Sequence, residues 1–205
     1  EEVINVDNII LIRSTVVPGT SAFFQKKFQQ LNIVFNPEFL TERNAVQDFI
    51  NQDRIILGGD DRNVAKVANL YSNRFPGTKI VETDYQTAEL IKYMNNLFFA
   101  TKVSFMNEMK ILSNHVNADW ATAIKGFTLD KRVGQSHNDV PGPDGKFGFG
   151  GSCFPKDIQA LIQFSESMGI NMRVLKAAWE TNLNVRPEKD WENLKGRAVS
   201  IKKNG

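Results

Sequence analysis

The chain has 205 residues, 41% of them hydrophobic and 23% charged, with a formal net charge of +2. That length is ample for a buried core, in one large domain or two small ones. The near-balanced charge argues against a broad nucleic-acid footprint or a polybasic membrane anchor, and no apolar run approaches the roughly 18 residues needed to span a bilayer. A single cysteine, Cys153, excludes an internal disulfide and a cysteine-rich zinc site. No basic-then-apolar leader opens the sequence, so a cytoplasmic globular protein is expected. A strand-like run follows Glu1-Glu2 almost at once, and Arg197 to Ile201 reads as the start of another strand, so both ends are expected to be cuts through a longer chain.

The first eighty or so residues alternate strand and helix signals. Ile9 to Ile12 is a short continuous apolar run, the pattern of a strand buried on both faces. Pro18-Gly19 breaks it, and Thr20 or Ser21 can cap a helix carrying Phe23, Phe24, Phe28 and Leu31. Ile33-Val34-Phe35 is a second strand, ended by Asn36-Pro37, and Glu38 to Ile50 reads as helical. Ile55-Ile56-Leu57 is a third strand, closed by Gly58-Gly59. A helix around Val64, Val67, Ala68 and Tyr71 follows, then a strand at Lys79-Ile80-Val81. Strands alternating with helices imply a parallel sheet with right-handed crossovers.

From Asp84 to about Val116 no Pro or Gly interrupts, and apolar residues recur at helical spacing, which predicts one helix on the order of 45 Å long. That is too long to cover a sheet and suits a spine between domains or subunits. Asp119 to Phe127 is a short helix, Thr128 to Ser152 a loop rich in Gly, Pro and Asp, and Lys156 to Met168 and Met172 to Val185 two further helices. Trp191 to Leu194 reads as one more turn. The expected fold is therefore α/β followed by all-α: a partial Rossmann-like parallel sheet, then a helical domain with one long helix. The phenylalanines read as core, and His115 and His137, with no partner at metal spacing, as surface residues; no metal site is expected.

Four segments carry candidate chemistry. In Gly148-Phe149-Gly150-Gly151-Ser152-Cys153-Phe154-Pro155-Lys156-Asp157, the glycines let backbone pass close to a ligand. Cys153 sits just before a predicted helix start, with Lys156 adding positive charge. A helix N-terminus and a neighbouring cation both favour a thiolate nucleophile. If the helix begins at Cys153, Asp157 lies one turn on and on the same face. Glu38 and Glu42 share a four-residue spacing, as do Lys92 and Asn96. Paired carboxylates can act as general base or hold water, and a Lys and Asn can donate to an oxyanion or a sugar hydroxyl; alone, the Glu pair reads rather as solvated helix surface and the Lys–Asn pair as a polar face. Finally, Ser14-Thr15-Val16-Val17-Pro18-Gly19-Thr20 follows a strand and opens a helix, where α/β proteins bind ligands. No Gly-x-Gly-x-x-Gly follows any strand.

Together these segments resemble the UDP-glucose/GDP-mannose dehydrogenase family. The resemblance is ordered along nearly the whole chain: the Ser-Thr-Val-Val-Pro-Gly-Thr turn, Asn36-Pro37-Glu38-Phe39-Leu40, Ala88-Glu89-Leu90-Ile91-Lys92-Tyr93 with Asn96, and the segment around Cys153. It implies a C-terminal part of an NAD-binding Rossmann-like domain over 1–84, a central helical dimerisation domain over 85–195, and the start of a C-terminal nucleotide-binding domain over 196–205. It implies NAD as cofactor, a nucleotide sugar as substrate (UDP-glucose first, GDP-mannose second), and a homodimer through the long helix around Leu97, Phe98, Phe105 and Met109.

The resemblance also implies residue roles. Cys153 becomes the nucleophile that forms a thiohemiacetal and then a thioester. Lys92 stabilises the oxyanion with Asn96 beside it, and Asp157 orients or activates water. Glu38 serves hydrolysis, and Thr15 holds a water or the alcohol near the nicotinamide. Phe39, Leu40, Glu42, Phe149 and Gly150 line the substrate, and Arg132 reaches the partner subunit's substrate. Ser14, Thr15 and Lys156 meet the cofactor. Two other classes compete: a thiol hydrolase, which needs a histidine that no motif supplies, and a dimerisation module without chemistry. No nucleic acid or membrane partner is expected.

Overall fold

In chain order the strands and helices are β1 (Ile9–Ile12), α1 (Thr20–Lys27), β2 (Asn32–Phe35), α2 (Ala45–Ile50), β3 (Arg54–Gly59), α3 (Asp61–Arg74), β4 (Lys79–Thr83), α4 (Tyr85–His115), α5 (Trp120–Thr128), α6 (Cys153–Ser167) and α7 (Arg173–Val185), with 3-10 turns at Lys131–Val133 and Asp190–Asn193. They come from a computed structural model that describes residues 8–41, 43–194 and 196. Glu42 and the expected strand from Arg197 to Ile201 lie outside the described residues. The chain forms two units that divide within α4, between Met94 and Asn95.

In the first unit the strand order is β1-β2-β3-β4. β1 pairs in parallel with β2, Ile10 against Ile33, and β3 in parallel with β4, Ile56 against Val81. The middle pair, β2 with β3, is antiparallel, with Val34 against Gly59. A wholly parallel sheet was the expectation, and the connection explains the difference. Pro37 disfavours the helical region for Asn36, so the chain leaves β2 extended. The Thr41 N–H and hydroxyl then donate to Asp48 Oδ2 at 2.7 and 2.5 Å, forming a turn. The connection 36–53 has the dozen or more residues a parallel crossover takes, but only Ala45–Ile50 of it is helical, a rise of about 9 Å, so no helix long enough to run back along the strands forms.

Strand alternation sends the apolar runs to both faces. Val34, Ile55 and Leu57 pack with Val64, Val67, Ala68, Tyr71 and Phe75, joined by Ile9, Leu11, Phe49 and Ile80. On the other face Ile33, Phe35 and Ile56 pack with Tyr85 and Ala88, joined by Ile12, Ala22, Leu31 and Ile91. Gly58 is needed here, because a Cβ would stand 2.5 Å from Ala88 Cβ and 2.7 Å from Asp84 O. The Gly58-Gly59 pair thus serves strand-to-helix packing.

The α4 helix spans 31 residues, as its uninterrupted periodicity predicts. In the second unit Asp119 caps α5 by accepting from Ala121 N at 3.1 Å. Ile158, Leu161, Leu175, Ala178 and Trp191 are buried, and Ser104 Oγ donates to Ala178 O at 2.6 Å. The reading of the phenylalanines as core needs correction: Phe98 is 63% exposed and Phe23 59%, and Phe105 is exposed too. Leu97, expected on the same face as Phe98, is buried.

Candidate active site

The first unit holds one set of candidate groups where β1 and β2 end. Asn36 Nδ2 donates to Ile56 O at 3.0 Å, and its Oδ1 accepts from Tyr71 OH at 2.7 Å and Arg13 Nη1 at 3.1 Å. A buried amide satisfied on both sides fixes where the chain turns away from the sheet. The next residues present Glu38 from non-helical backbone. Its carboxylate is half-exposed, 3.7 Å from Arg13 Nη2. Residues 36–41 are not helical, and Glu42, the other half of the pair expected on one helix face, lies outside the described residues.

Lys92 is buried, and its Nζ donates to Glu38 O at 2.5 Å. The ammonium also lies 5.2 Å from the centre of the Phe39 ring, and the Arg54 guanidinium lies 4.5 Å from the same ring. Phe39 and Leu40 border a cleft of about 310 Å³ reaching Gln52 and Arg54. Lysine, glutamate backbone and aromatic ring thus form one assembly inside this unit.

Ser14 is exposed and Thr15 half-buried at the carboxyl end of β1. The turn after them is held by a residue that sequence reasoning overlooked. Buried Glu89 accepts from Gly19 N at 2.6 Å and Ser21 N at 2.8 Å, supplying the N-terminal cap that α1 lacks from its own side chains. The signal was a carboxylate at a core-facing position of α4.

These contacts decide how far the residues fit a dinucleotide. Ser14 and Thr15 carry hydroxyls at the carboxyl end of β1. The α1 amides are taken by Glu89, and α3 is capped by Asp60, which accepts from Arg62 N at 3.1 Å. Neither of these two helix N-termini is open to a pyrophosphate.

The second unit holds the other set. Cys153 is the first residue of α6 and is exposed, with Ser152 Oγ 3.8 Å from its Sγ. The expected later start, at Lys156, gives way to the alternative that places Asp157 one turn beyond the thiol. Asp157 is fully buried, accepts from Asn96 Nδ2 at 2.6 Å, and pairs with Lys156.

The segment before Cys153 departs from the expectation that its glycines approach a ligand. A Cβ on Gly148 would stand 2.4 Å from Asn182 Oδ1, and one on Gly150 would stand 2.5 Å from both Arg186 Nη2 and Asp190 Oδ1. The Phe149 ring is buried against Phe154 and Trp179, and both its backbone groups bond to Asn182. Phe149 and Gly150 therefore face the protein interior. Gly151 is the glycine with open space on its side.

Arg132 is almost fully exposed and paired with Asp130 through Nη2 at 2.5 Å. Its turn is held by Lys102, whose Nζ donates to Val133 O, Gly134 O and Ser136 O at 2.9, 3.2 and 2.6 Å. His137 corrects the surface reading. Its ring stacks on Phe99 at 4.1 Å and lies 5.7 Å from Phe154, with Nδ1 buried. Burial, aided by the Lys102 charge, lowers its pKa. Among the described residues no group of His, Cys, Asp or Glu could hold a metal ion, and no helix is long and apolar enough to cross a membrane.

Comparison with known proteins agrees with the resemblance read from the motifs. Residues 1–75 match the NAD binding domain of the UDP-glucose/GDP-mannose dehydrogenase family, and residues 86–184 match its central domain. The chain is 42% identical over 185 residues to a UDP-glucose 6-dehydrogenase of Rickettsia conorii, covering 88% of this chain and 42% of that protein. It is 33% identical over 213 residues to UDP-glucose 6-dehydrogenase TuaD of Bacillus subtilis, covering 98% of this chain and 45% of that protein. A UDP-glucose dehydrogenase structure from Pyrobaculum islandicum superposes with a TM-score of 0.76 at 35% identity, over 86% of this chain and 41% of that one. The chain thus spans less than half the length of these relatives. With both domains matched in order, the chain belongs to the UDP-glucose/GDP-mannose dehydrogenase family.

Proposed function

We propose that this chain carries the nucleophile and oxyanion-stabilising groups of an NAD-dependent nucleotide-sugar 6-dehydrogenase that oxidises UDP-glucose to UDP-glucuronate. The observation that carries the reading is Cys153. It is exposed at the first position of α6, with buried Asp157 one turn on, bonded to Asn96 and Lys156. UDP-glucose is favoured over GDP-mannose because the relatives at 42% and 33% identity are named for it.

When bound, NAD accepts the hydrides of the two oxidations; Ser14, Thr15 and Lys156 are the residues offered to it here. Thr15 holds the primary alcohol or a water. Once the sugar is an aldehyde, the Cys153 thiolate adds to its carbon, forming the S–C bond and moving the carbonyl pair onto oxygen. The Lys92 ammonium and the Asn96 amide offset that negative charge. After the second oxidation the carbon is a thioester. Glu38 takes a proton from water as the water attacks, with Asp157 orienting it, and the S–C bond breaks to release the carboxylate and the thiolate. Arg132 and the Phe39-Leu40 segment bind the nucleotide sugar.

The same reading makes the whole protein a cytoplasmic homodimer. The exposed apolar positions Phe98, Phe105, Met109 and Leu112 of α4 support this. Sedimentation at micromolar concentration is expected to give a dimer, and a monomer would count against it. The function is tested by replacing the matching segment of the Rickettsia conorii protein with this chain and following NADH. Turnover of UDP-glucose well above GDP-mannose is expected. The reverse preference would favour the GDP-mannose reading, and a folded, inactive chimera would favour a dimerisation module. The 205 residues alone are expected to give no NADH, having no glycine-rich pyrophosphate turn; turnover would refute this.

A further inference from the structure

We propose that Arg186, Asn182 and Asp190 are positioning residues that set the thiol of Cys153 at the start of α6; this rests on the reading of Cys153 as nucleophile. Four consecutive residues before Ser152 are each held from the same unit. Gly148 N donates to Asn107 Oδ1 at 3.0 Å. Phe149 N donates to Asn182 Oδ1 at 2.7 Å, and Phe149 O accepts from Asn182 Nδ2 at 3.0 Å. Gly150 lies flat against the Arg186–Asp190 ion pair, where a Cβ has no room. Gly151 N donates to Asp190 Oδ2 at 3.4 Å.

Arg186 is the hub of this clamp. It is 2% exposed, yet it donates to Asp190 Oδ1 at 2.6 Å, Asp144 Oδ2 at 2.7 Å and Phe147 O at 3.2 Å. A buried guanidinium shared between two carboxylates and a carbonyl fixes direction as well as charge, because its donors lie in one rigid plane. It ties the turn at 142–147, the Gly148–Gly151 approach and the 3-10 turn at Asp190 into one body. Asn182 does the same from one helical turn earlier on α7. The last residue the clamp grips is Gly151, two before the thiol. Ser152 makes no side-chain cap to α6, so the clamp restrains how the chain enters this helix, beside the Phe154 ring contacts and the Asn96–Asp157 bond within its first turns. Gly151 stands two residues before the thiol, so a displacement of this approach moves Sγ at the exposed start of α6 and changes its reactivity.

The single cysteine allows a clean test on the chain itself. Alkylation by iodoacetamide at neutral pH, followed by mass spectrometry, reads the thiol, and amide exchange at Phe149 and Gly151 reads the clamp. Asn182→Ala and Arg186→Met are expected to slow alkylation about three- to tenfold and to speed exchange at both amides. Arg186→Lys, which keeps the charge towards Asp190, is expected to restore part of the rate. Folding is checked by helical circular dichroism; if Arg186→Met does not fold, Asn182→Ser, which leaves the ion pair intact, decides. Folded variants with wild-type alkylation and wild-type exchange overturn the proposal. A wild-type thiol no faster than free cysteine overturns the nucleophile reading instead, and the amide exchange then still decides whether the clamp exists.

Discussion

Glu89 gives the most direct test of how the first unit holds its candidate groups. Its carboxylate is buried and accepts from two backbone amides, Gly19 N and Ser21 N, at the start of α1. Glu89→Ala removes both acceptors and leaves a cavity. A buried amide without a partner costs about 1–3 kcal/mol. Ser21 is fully buried and pays in full; Gly19 is half-buried, so water recovers part of its bond. The expected loss is about 2–4 kcal/mol, a large share of the roughly 5–15 kcal/mol of a typical domain. Glu89→Gln keeps one acceptor oxygen and is expected to lose about half as much. Urea unfolding gives the free energy, and hydrogen exchange at Gly19 and Ser21 locates the effect. A loss below about 0.5 kcal/mol with unchanged exchange at both amides would refute the cap, and with it the account of how the Ser14–Thr20 turn is fixed.

Other consequences follow from the same geometry. His137 has a lowered pKa, through burial first and the Lys102 charge second. The unfolded chain therefore takes up a proton sooner, and stability is lost as pH falls from about 6.5 through the lower folded value. His137→Phe is expected to flatten stability across that window, and an unchanged slope would contradict it. In Asp144 and Asp190 burial raises the pKa, but the hydrogen bonds and charge of Arg186 outweigh it and leave both lowered. Their contribution is present above about pH 4 and lost as the pH falls further. An Asp144→Asn, Asp190→Asn double variant should lose that acid dependence in chemical denaturation. Gly58→Ala forces a Cβ onto Ala88 Cβ and Asp84 O, and is expected to cost at least about 1–3 kcal/mol; a neutral result in urea unfolding would contradict the close packing.

Much of this was legible in the residues because it depends on local chemistry. The 31 residues of α4 follow from an unbroken apolar period, and the strands from short apolar runs closed by Gly or Pro. Cys153 stood out for the same reason, since glycines before it and Pro155 after it mark a helix start. One failure is local: Glu38 to Ile50 has a helical pattern, yet Pro37 and the Thr41–Asp48 turn leave 36–41 outside any helix. The others are non-local. The Gly148 and Gly150 signals were real, but what crowds them is Asn182 and Arg186, more than thirty residues away in sequence and visible only after folding. His137 carries no local sign that Phe99 covers it.

The central claim is that Cys153 carries the second oxidation through a covalent intermediate. It is tested by counting NADH formed per UDP-glucose in the Rickettsia conorii chimera with and without Cys153→Ser. The account predicts two NADH per sugar with the thiol. Without it, a serine ester forms and persists or the reaction halts at the aldehyde, with turnover down by orders of magnitude. A Cys153→Ser chimera that still makes two NADH per sugar at an undiminished rate would contradict it.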